Sequence, residues 1–548
     1  MSYCKSDSVY DERLRKAPDV CFGAYFIAKG GEIVDELQMM QMLRNIRGFT
    51  GRKKIFTEES YVDASNVLDV VAEAYGKFTQ IQWEIQFLID YDRGVQPIMR
   101  EKKVRPEIDY HVQDNLAHFI KKWKGDYFWG QPPMLVQRSD DESPESDASR
   151  DGKAIAKLNS YMVNNVHVGY EDQKLADFVE ICGIGHRFVD IRSRADRTGL
   201  PFKVHTLDSR YTFMIYYDGI GEPPVCAVTF AHRGDGYVFT AYTDDMRFDI
   251  KNGEIISAQI NPLGMIPIVE YEGSIDRMGC FERLLPELQG LNLLVSDLHN
   301  DVDQHVQEIW WTNDVSFTDP RTGERVTPES GDWVQTFTGG EGNHPSIKPL
   351  SGTLDSTSTL NMINNERNHI LELANVPIRY SSEGGGSTGV AMDVSSGWSA
   401  AEVDAQCKEQ LIEKAKREEL ELIIKAIQLA PQSVIGENDI LKNVRAIDCN
   451  FHFNRRKNYD MAVKANTFAT YVAHGLHGRH ALKEIDAFSD VEQVWEDSKD
   501  LIEAFQKNAF LNGANQTEEH IMQDESDQSS QSPLVDGMNT NRTEAVSQ

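Results

Sequence analysis

From Leu284 to Ile309 the chain carries a seam, Leu284, Leu288, Leu291, Val295, Leu298, Val302, His305 and Ile309, whose spacings alternate four and three. No other pattern in the sequence restricts the fold as much. A 3.5-residue period belongs to a helix that keeps one narrow face against a neighbour along its length. Cys280 to Asn313 holds one proline, Pro286, near its start. Helical throughout, this stretch makes a rod about 50 Å long. Glu287, Asp297, Asp301, Asp303 and Glu308 lie off the seam. The expectation is a one-sided helix with an acidic back, used in a repeated helix–helix contact.

The segments before it alternate between the two regular periods. Val62 to Ile89 places Val67, Val70, Val71, Ala74, Phe78, Ile81, Ile85 and Leu88 close to a 3.6 period, which predicts a helix. Asp63 or Ser65 is positioned to cap it, and Tyr91-Asp92-Arg93-Gly94 ends it. Asn115 to Trp123 reads as a second, short helix. Residues 138–152 are polar and acidic with nothing to pack, and are expected to be a disordered insert. Tyr211–Tyr217, Val225–His232, Tyr237–Tyr242 and Met246–Ile250 are aromatic and β-branched runs. Asp218-Gly219, Asp235-Gly236 and Asn252-Gly253 stand at or near their ends. Such pairs accept positive φ and favour tight hairpins. The reading is an antiparallel meander covered by the earlier helices, an α+β arrangement.

After the seam, Val315 to Ser351 is a small excursion with strand-like Trp333 to Phe337. Ser358 to Asn375 returns to helical spacing and Pro377 stops it. Tyr380 to Trp398, YSSEGGGSTGVAMDVSSGW, is a long Gly-rich loop between two helices. Loops of that length are usually functional or disordered. Ser399 and Glu402 match a capping box for a helix running to about Ala430. Tyr459–Ala473 and Val491–Asn508 read as helices, and the tail from Asn515 is polar.

Composition narrows the function. Lys and Arg number 56 against 86 Asp and Glu, a formal net charge of −30. A protein that grips nucleic acid needs clustered cations, so a wrapping DNA binder is disfavoured; a surface that DNA slides past is not. The seven cysteines are scattered singly, which suits reduced thiols and assembly in a cytoplasm. The first residues show no apolar leader, and no segment is long and apolar enough to span a membrane. Glu383 to Gly389 looks like a phosphate loop, but Val390 stands where the lysine belongs and a helix precedes it. His474, His477 and His480 are separated by glycines and lack a carboxylate or cysteine at a ligand interval. No nucleophile elbow and no H-E-x-x-H helix is present. No cofactor is implied and no catalytic residue is assigned.

Several short stretches, in order, resemble the portal proteins of tailed bacteriophages, in the siphophage head–tail connector family. They are Tyr91 to Ile98, Gly125 to Pro132, Asn261 to Tyr271, Phe281-Glu282 with Leu293 to Asp301, Leu373 to Pro377, and Ser387 to Ala391. Ala374-Asn375 departs from the family's usual Ala-Gly. The resemblance implies a homo-dodecameric ring around a DNA channel at one capsid vertex of the virion, through which DNA is packaged and ejected. In the α+β portal fold it implies, an α/β wing spans 1–279 and stem helices span 280–313 and 353–378. A small α/β clip spans 314–352 and a tunnel loop 379–398. A long wing helix and its return fill 399–475, a helical crown 476–513 and a disordered tail 514–548.

Ser382, Glu383, Gly384, Gly385, Gly386, Ser387, Thr388, Gly389 and Val390 would meet non-specifically held double-stranded DNA. Leu284, Leu288, Leu291, Val295, Leu298, Val302 and Ile309 would form the inter-subunit seam. Trp333 and Phe337 would touch partners in the clip. Lys414, Lys416 and Arg417 are candidates for a basic channel ring, an exposed helix face being the plainer reading. Implied partners are the major capsid protein, the terminase large subunit, a head-completion adaptor and a scaffold protein. The alternatives are a metal-dependent enzyme using the three histidines, and a scaffold or adaptor that forms no ring.

Overall fold

The structure, a computed structural model, describes residues 50–96, 109–137, 148–164, 166–191, 201–233, 236–306, 310–313, 346–349, 356–378, 397–432, 434–437, 439–453, 455, 461–485, 488, 491 and 494–504. In chain order the elements begin β1 (Ile55–Thr57), α1 (Val67–Asp92), α2 (Leu116–Trp129), β2 (Met134–Gln137), α3 (Ala148–Asn164) and α4 (Val168–Cys182). Strands follow: β3 (Ile184–Ile191), β4 (Phe202–Leu207), β5 (Thr212–Tyr217), β6 (Pro224–Arg233), β7 (Gly236–Tyr242), β8 (Met246–Lys251), β9 (Glu254–Ile260) and β10 (Ile268–Glu272). Then come α5 (Leu285–Val306), β11 (Trp310–Asn313), β12 (Ser346–Pro349), α6 (Ser356–Leu373) and α7 (Trp398–Leu429). Last are β13 (Cys449–His452), α8 (Met461–Ala473) and α9 (Gly478–Ile485). The chain divides into two compact units, residues 1–133 with 142–455, and residues 134–141 with 456–548.

In the first unit, β5 to β9 form an antiparallel meander, and β1 adds to β5 in parallel, giving the order β1-β5-β6-β7-β8-β9. The β8–β9 turn holds Asn252 and Gly253 at φ 54° and 79°, the left-handed pair that a two-residue hairpin turn requires. Helix α1 covers the sheet. Phe78 stacks on Phe213 at 4.6 Å between ring centroids, and Tyr75 meets Phe230 and Phe239 edge-on at 5.4 and 5.0 Å. Edge-to-face and offset rings are the geometries that the ring quadrupole favours. Thus the α+β expectation and the meander hold.

Some boundaries differ. The N-cap of α1 is Asn66, not Asp63 or Ser65; Asp63 instead accepts from the Ser65 N–H. Helix α2 runs on to Trp129, and α3 begins at Ala148, inside the stretch expected to be a disordered insert. The seam helix ends at Val306, and Trp310–Asn313 pairs as a strand with Ser346–Pro349. Those four residues are two tryptophans, a threonine and an asparagine, which suit a pleated surface better than a helix. The Ser399–Glu402 capping box does not form: α7 already starts at Trp398 behind Gly397, and no side chain caps it.

A second sheet of the first unit, β10-β3-β4, is antiparallel and was not foreseen. Asn261 sets up its first strand. Its side-chain amide donates to the Thr243 and Met265 carbonyls at 2.9 and 2.8 Å, and its oxygen accepts the Leu263 N–H. This turn, with Asn261 and Leu263 buried, carries the Asn-Pro-Leu-Gly motif into β10.

In the second unit, α8 ends on Gly475 at φ 93°, with the Leu476 N–H bonded back to the Tyr471 carbonyl, a Schellman end. Helix α9 starts at Gly478 because nothing larger fits. A Cβ there would lie 2.5 Å from Ile502 and 2.8 Å from Trp495.

Candidate functional site at the base of residues 379–396

Residues 379–396, and with them Ser382 to Val390, lie outside the described residues, but both ends of this segment are placed. Helix α6 ends in a Schellman motif: the Val376 N–H bonds the Leu371 carbonyl at 2.9 Å and the Asn375 N–H the Glu372 carbonyl at 3.0 Å. Asn375 sits at φ 54°. Asparagine is the side chain that best tolerates this left-handed position, so it does the work of the glycine usual in the family. At the other end Gly397 has φ 86°, and a Cβ on it would lie 3.8 Å from the Pro377 Cα. The segment therefore leaves and rejoins the body at one place.

The rejoining end is fixed by aromatic and charged contacts. Trp398 packs on Trp123 and Tyr127 of α2, at 5.8 and 5.9 Å between centroids, while those two rings stack at 5.2 Å. Trp123 and Tyr127 are four residues apart, hence on one helix face. The Tyr127 hydroxyl donates to Glu402 at 2.5 Å, and Lys124 pairs with Asp404 at 3.0 Å. Arg455 pairs with both Glu402 and Glu409.

Further along α7 the contacts become progressively more buried, from Lys408 to Lys416. Lys408 donates to both oxygens of Glu180, which also accepts from the Trp129 indole at 3.2 Å. Lys416 is 2% exposed and pairs with Asp172 at 2.8 Å and Glu419 at 3.3 Å. Arg187 of β3 reaches the same Asp172 at 2.7 Å, and the Tyr271 hydroxyl donates to Glu419. Burial works against the Asp172 carboxylate, yet Lys416 and Arg187 beside it hold its pKa below the usual value. Burial, then the Glu419 charge, pushes the Tyr271 hydroxyl well up. Two cations face two anions, so the cluster is balanced, and each charge is compensated as a buried charge must be. A second cluster lies on β3 and β10. His186 stands between Ser209 at 3.1 Å and Glu270 at 3.2 Å, and Arg277 grips Glu270. His186 and Ser209 are fully buried, and the row ties β3 to β10.

The other candidate residues separate clearly. Leu284, Leu288 and Leu291 are buried in the chain's own core, beside Phe281, Ile370 and Leu371. Val295 and Leu298 are half-buried against the same core. The seam is thus satisfied within one copy over most of its length. Among the seam residues whose side chains are described, Val302, 45% exposed, faces out, and Ile309 lies outside the described residues. So do Trp333 and Phe337. Lys416 is removed from a basic channel ring by its burial, and Arg417 is held by Glu413 and Asn450. Lys414 is exposed. His477 packs on Trp495 at 4.9 Å and on His480 at 5.9 Å. Among the described residues no group of three or more histidine, cysteine or carboxylate side chains converges as metal ligands would. No helix among them is long and apolar enough to cross a membrane.

The described residues around positions 379–396 are thus a helix pair, α5 with α6, and an aromatic and charged seat for the start of α7. The chain matches the family described as phage portal protein, SPP1 Gp6-like, over residues 77–508, and belongs to it. No curated protein matches it. The family is a structural one. The match starts within α1 and takes in both flanks of the excursion.

Proposed function

We propose that copies of this chain close into a dodecameric ring at one capsid vertex, forming the channel through which DNA enters and leaves the head. The observation that carries this reading is the family membership over 77–508. In it, α5 and α6 are stem helices, 314–352 is the clip that meets terminase and the head-completion adaptor, and 476–513 is the crown. Residues 379–396 are the tunnel loop, projecting from their single point of attachment. The contact with DNA is non-specific, in keeping with a net charge of −30 that disfavours gripping phosphates.

Burial of Leu284, Leu288 and Leu291 shifts the contact between copies to other residues. Leu360, Met362 and Leu373 of α6 are about half exposed, as is Val302 of α5. A heterologous contact of this kind repeats and closes under cyclic symmetry. Electron microscopy of the purified protein tests the ring: annular particles are expected, and compact monomers under every condition would overturn the reading. Deleting Gly384 to Gly389 should leave rings intact and impair packaging.

A further inference from the structure

Asn292, Ser296 and Asn300 recur every four residues on α5 and so form one line along it. All three are buried, at 1%, 0% and 3% exposure. Their partners are backbone groups of the non-helical segment 110–114. Asn292 accepts the Asp114 N–H at 2.9 Å, Ser296 the Val112 N–H at 3.0 Å and Asn300 the Tyr110 N–H at 2.8 Å. Asn300 also donates to the Tyr110 carbonyl at 3.3 Å, and the Ser296 hydroxyl lies 3.1 Å from the Val112 carbonyl.

Alternate residues are bound, as they are along the edge of a β-strand. The two periods agree: four helical residues rise about 6 Å, and two extended residues about 6.6 Å. Three side chains thus replace a neighbouring strand. Apolar residues would join the same surfaces without the cost of desolvating three polar groups. What the polar line adds is register, since a shift by one residue would present the wrong backbone groups.

The held segment leads directly into α2. Asn115 follows Asp114, caps α2 through the His118 N–H at 3.3 Å, and donates to the Asp92 carbonyl at 2.8 Å. About 12 and 18 Å further along, at 1.5 Å per residue, Trp123 and Tyr127 receive Trp398. Asp114 also pairs with Arg367 of α6 at 3.2 Å.

We propose that residues 110–129 are a strut that makes the exit of segment 379–396 follow α5. Asn292, Ser296 and Asn300 are its positioning residues at one end, and Trp123 and Tyr127 at the other. The purpose of the strut rests on the portal reading; the coupling itself does not.

Hydrogen–deuterium exchange of the full chain tests it. Ser296→Ala and Asn300→Ala, made separately, each take the acceptor from a part-buried N–H, of Val112 and Tyr110 respectively, worth about tenfold in local opening. Exchange at 110–114 should rise by about that factor, and exchange at 402–408 of α7 severalfold, while β6 to β8 stay at the wild-type rate. Faster exchange at 110–114 with 402–408 unchanged would overturn the strut. Trp123→Ala is the second variant: it should release 402–408 and leave 110–114 protected, and protection retained at 402–408 would equally overturn it. Annular particles are scored separately by microscopy. Coupled exchange without rings would sink the portal reading alone, and rings without coupled exchange would sink the strut alone.

Discussion

Replacing Lys416 with methionine keeps the length of the side chain and removes its charge from the cluster on Asp172, Arg187, Glu419 and Tyr271. At 2.8 Å and an effective dielectric of about 20, the attraction between Lys416 and Asp172 is about 6 kcal/mol. Desolvation of the ammonium offsets part of it, and breaking a buried pair typically costs about 3–5 kcal/mol. Arg187 alone would then face two carboxylates. The midpoint of thermal unfolding of the first unit, whose size gives an unfolding entropy of about 1 kcal/mol/K, should fall by roughly 3–5 °C. Lys414→Met, two residues away and exposed, should change stability by less than about 0.5 kcal/mol. Asp172→Asn in the Lys416→Met background removes one uncompensated anion, so the pair of changes should cost clearly less than their sum. Differential scanning calorimetry of the four proteins reads all of this. Equal midpoints for the Lys416 and Lys414 variants, or strict additivity in the double variant, would refute the claim that this cluster clamps α7.

Other substitutions probe separate features. Burial, against the pull of Arg52, raises the Glu84 carboxyl to about 7. Its folded pKa lies above the unfolded value of about 4.3, so folding keeps a proton that the unfolded chain gives up. Stability should therefore fall as pH rises from about 4.3 to 7, and Glu84→Gln should flatten that slope in urea titrations across the window. Glu270 has the opposite sign. Burial opposes its charge, but Arg277 and His186 hold its pKa far below the usual value. Its contribution is complete above about pH 4.3 and fades as acid protonates the unfolded chain; Glu270→Gln should blunt acid unfolding below that point. Asn375→Gly should be nearly neutral, and Asn375→Val should cost about 1–2 kcal/mol by forcing a β-branched residue to positive φ, as thermal melts would show. Trp333→Ala should weaken binding of terminase or adaptor in a pull-down; unchanged binding would make Trp333 structural only.

The parts legible in the sequence are those whose cause is local. Asn252-Gly253 marks its own turn, and the spacing Val67 to Leu88 marks its own buried face. The second sheet was missed because its reasons lie far apart. β10 pairs with β3 some 80 residues earlier, and nothing local marks His186, Arg187 and Glu270 as buried; Asp172, Lys416 and Arg277 reach them only in the fold. The seam is apolar as its period suggests, and its first three leucines are buried within the chain itself: period shows that a face is covered, not whether α6 or another copy covers it. Ser399 and Glu402 matched a capping pattern, but a left-handed Gly397 and the packing of Trp398 fixed the helix start two residues earlier. The aromatic base had a visible signal, Trp123 and Tyr127 at a four-residue interval with Trp398 closing the Gly-rich loop, which only the fold connects.

The closeness of Pro377 and Gly397 has an evolutionary consequence. A chain segment whose two ends already touch adds no strain to its supports when it grows or shrinks. Doubling its length costs only about 0.6 kcal/mol of closure entropy. The body of the protein is thereby insulated from insertions and deletions at this point. Aperture, if the segment lines one, is free to drift among descendants while α6, α7 and the charges that seat them stay as they are.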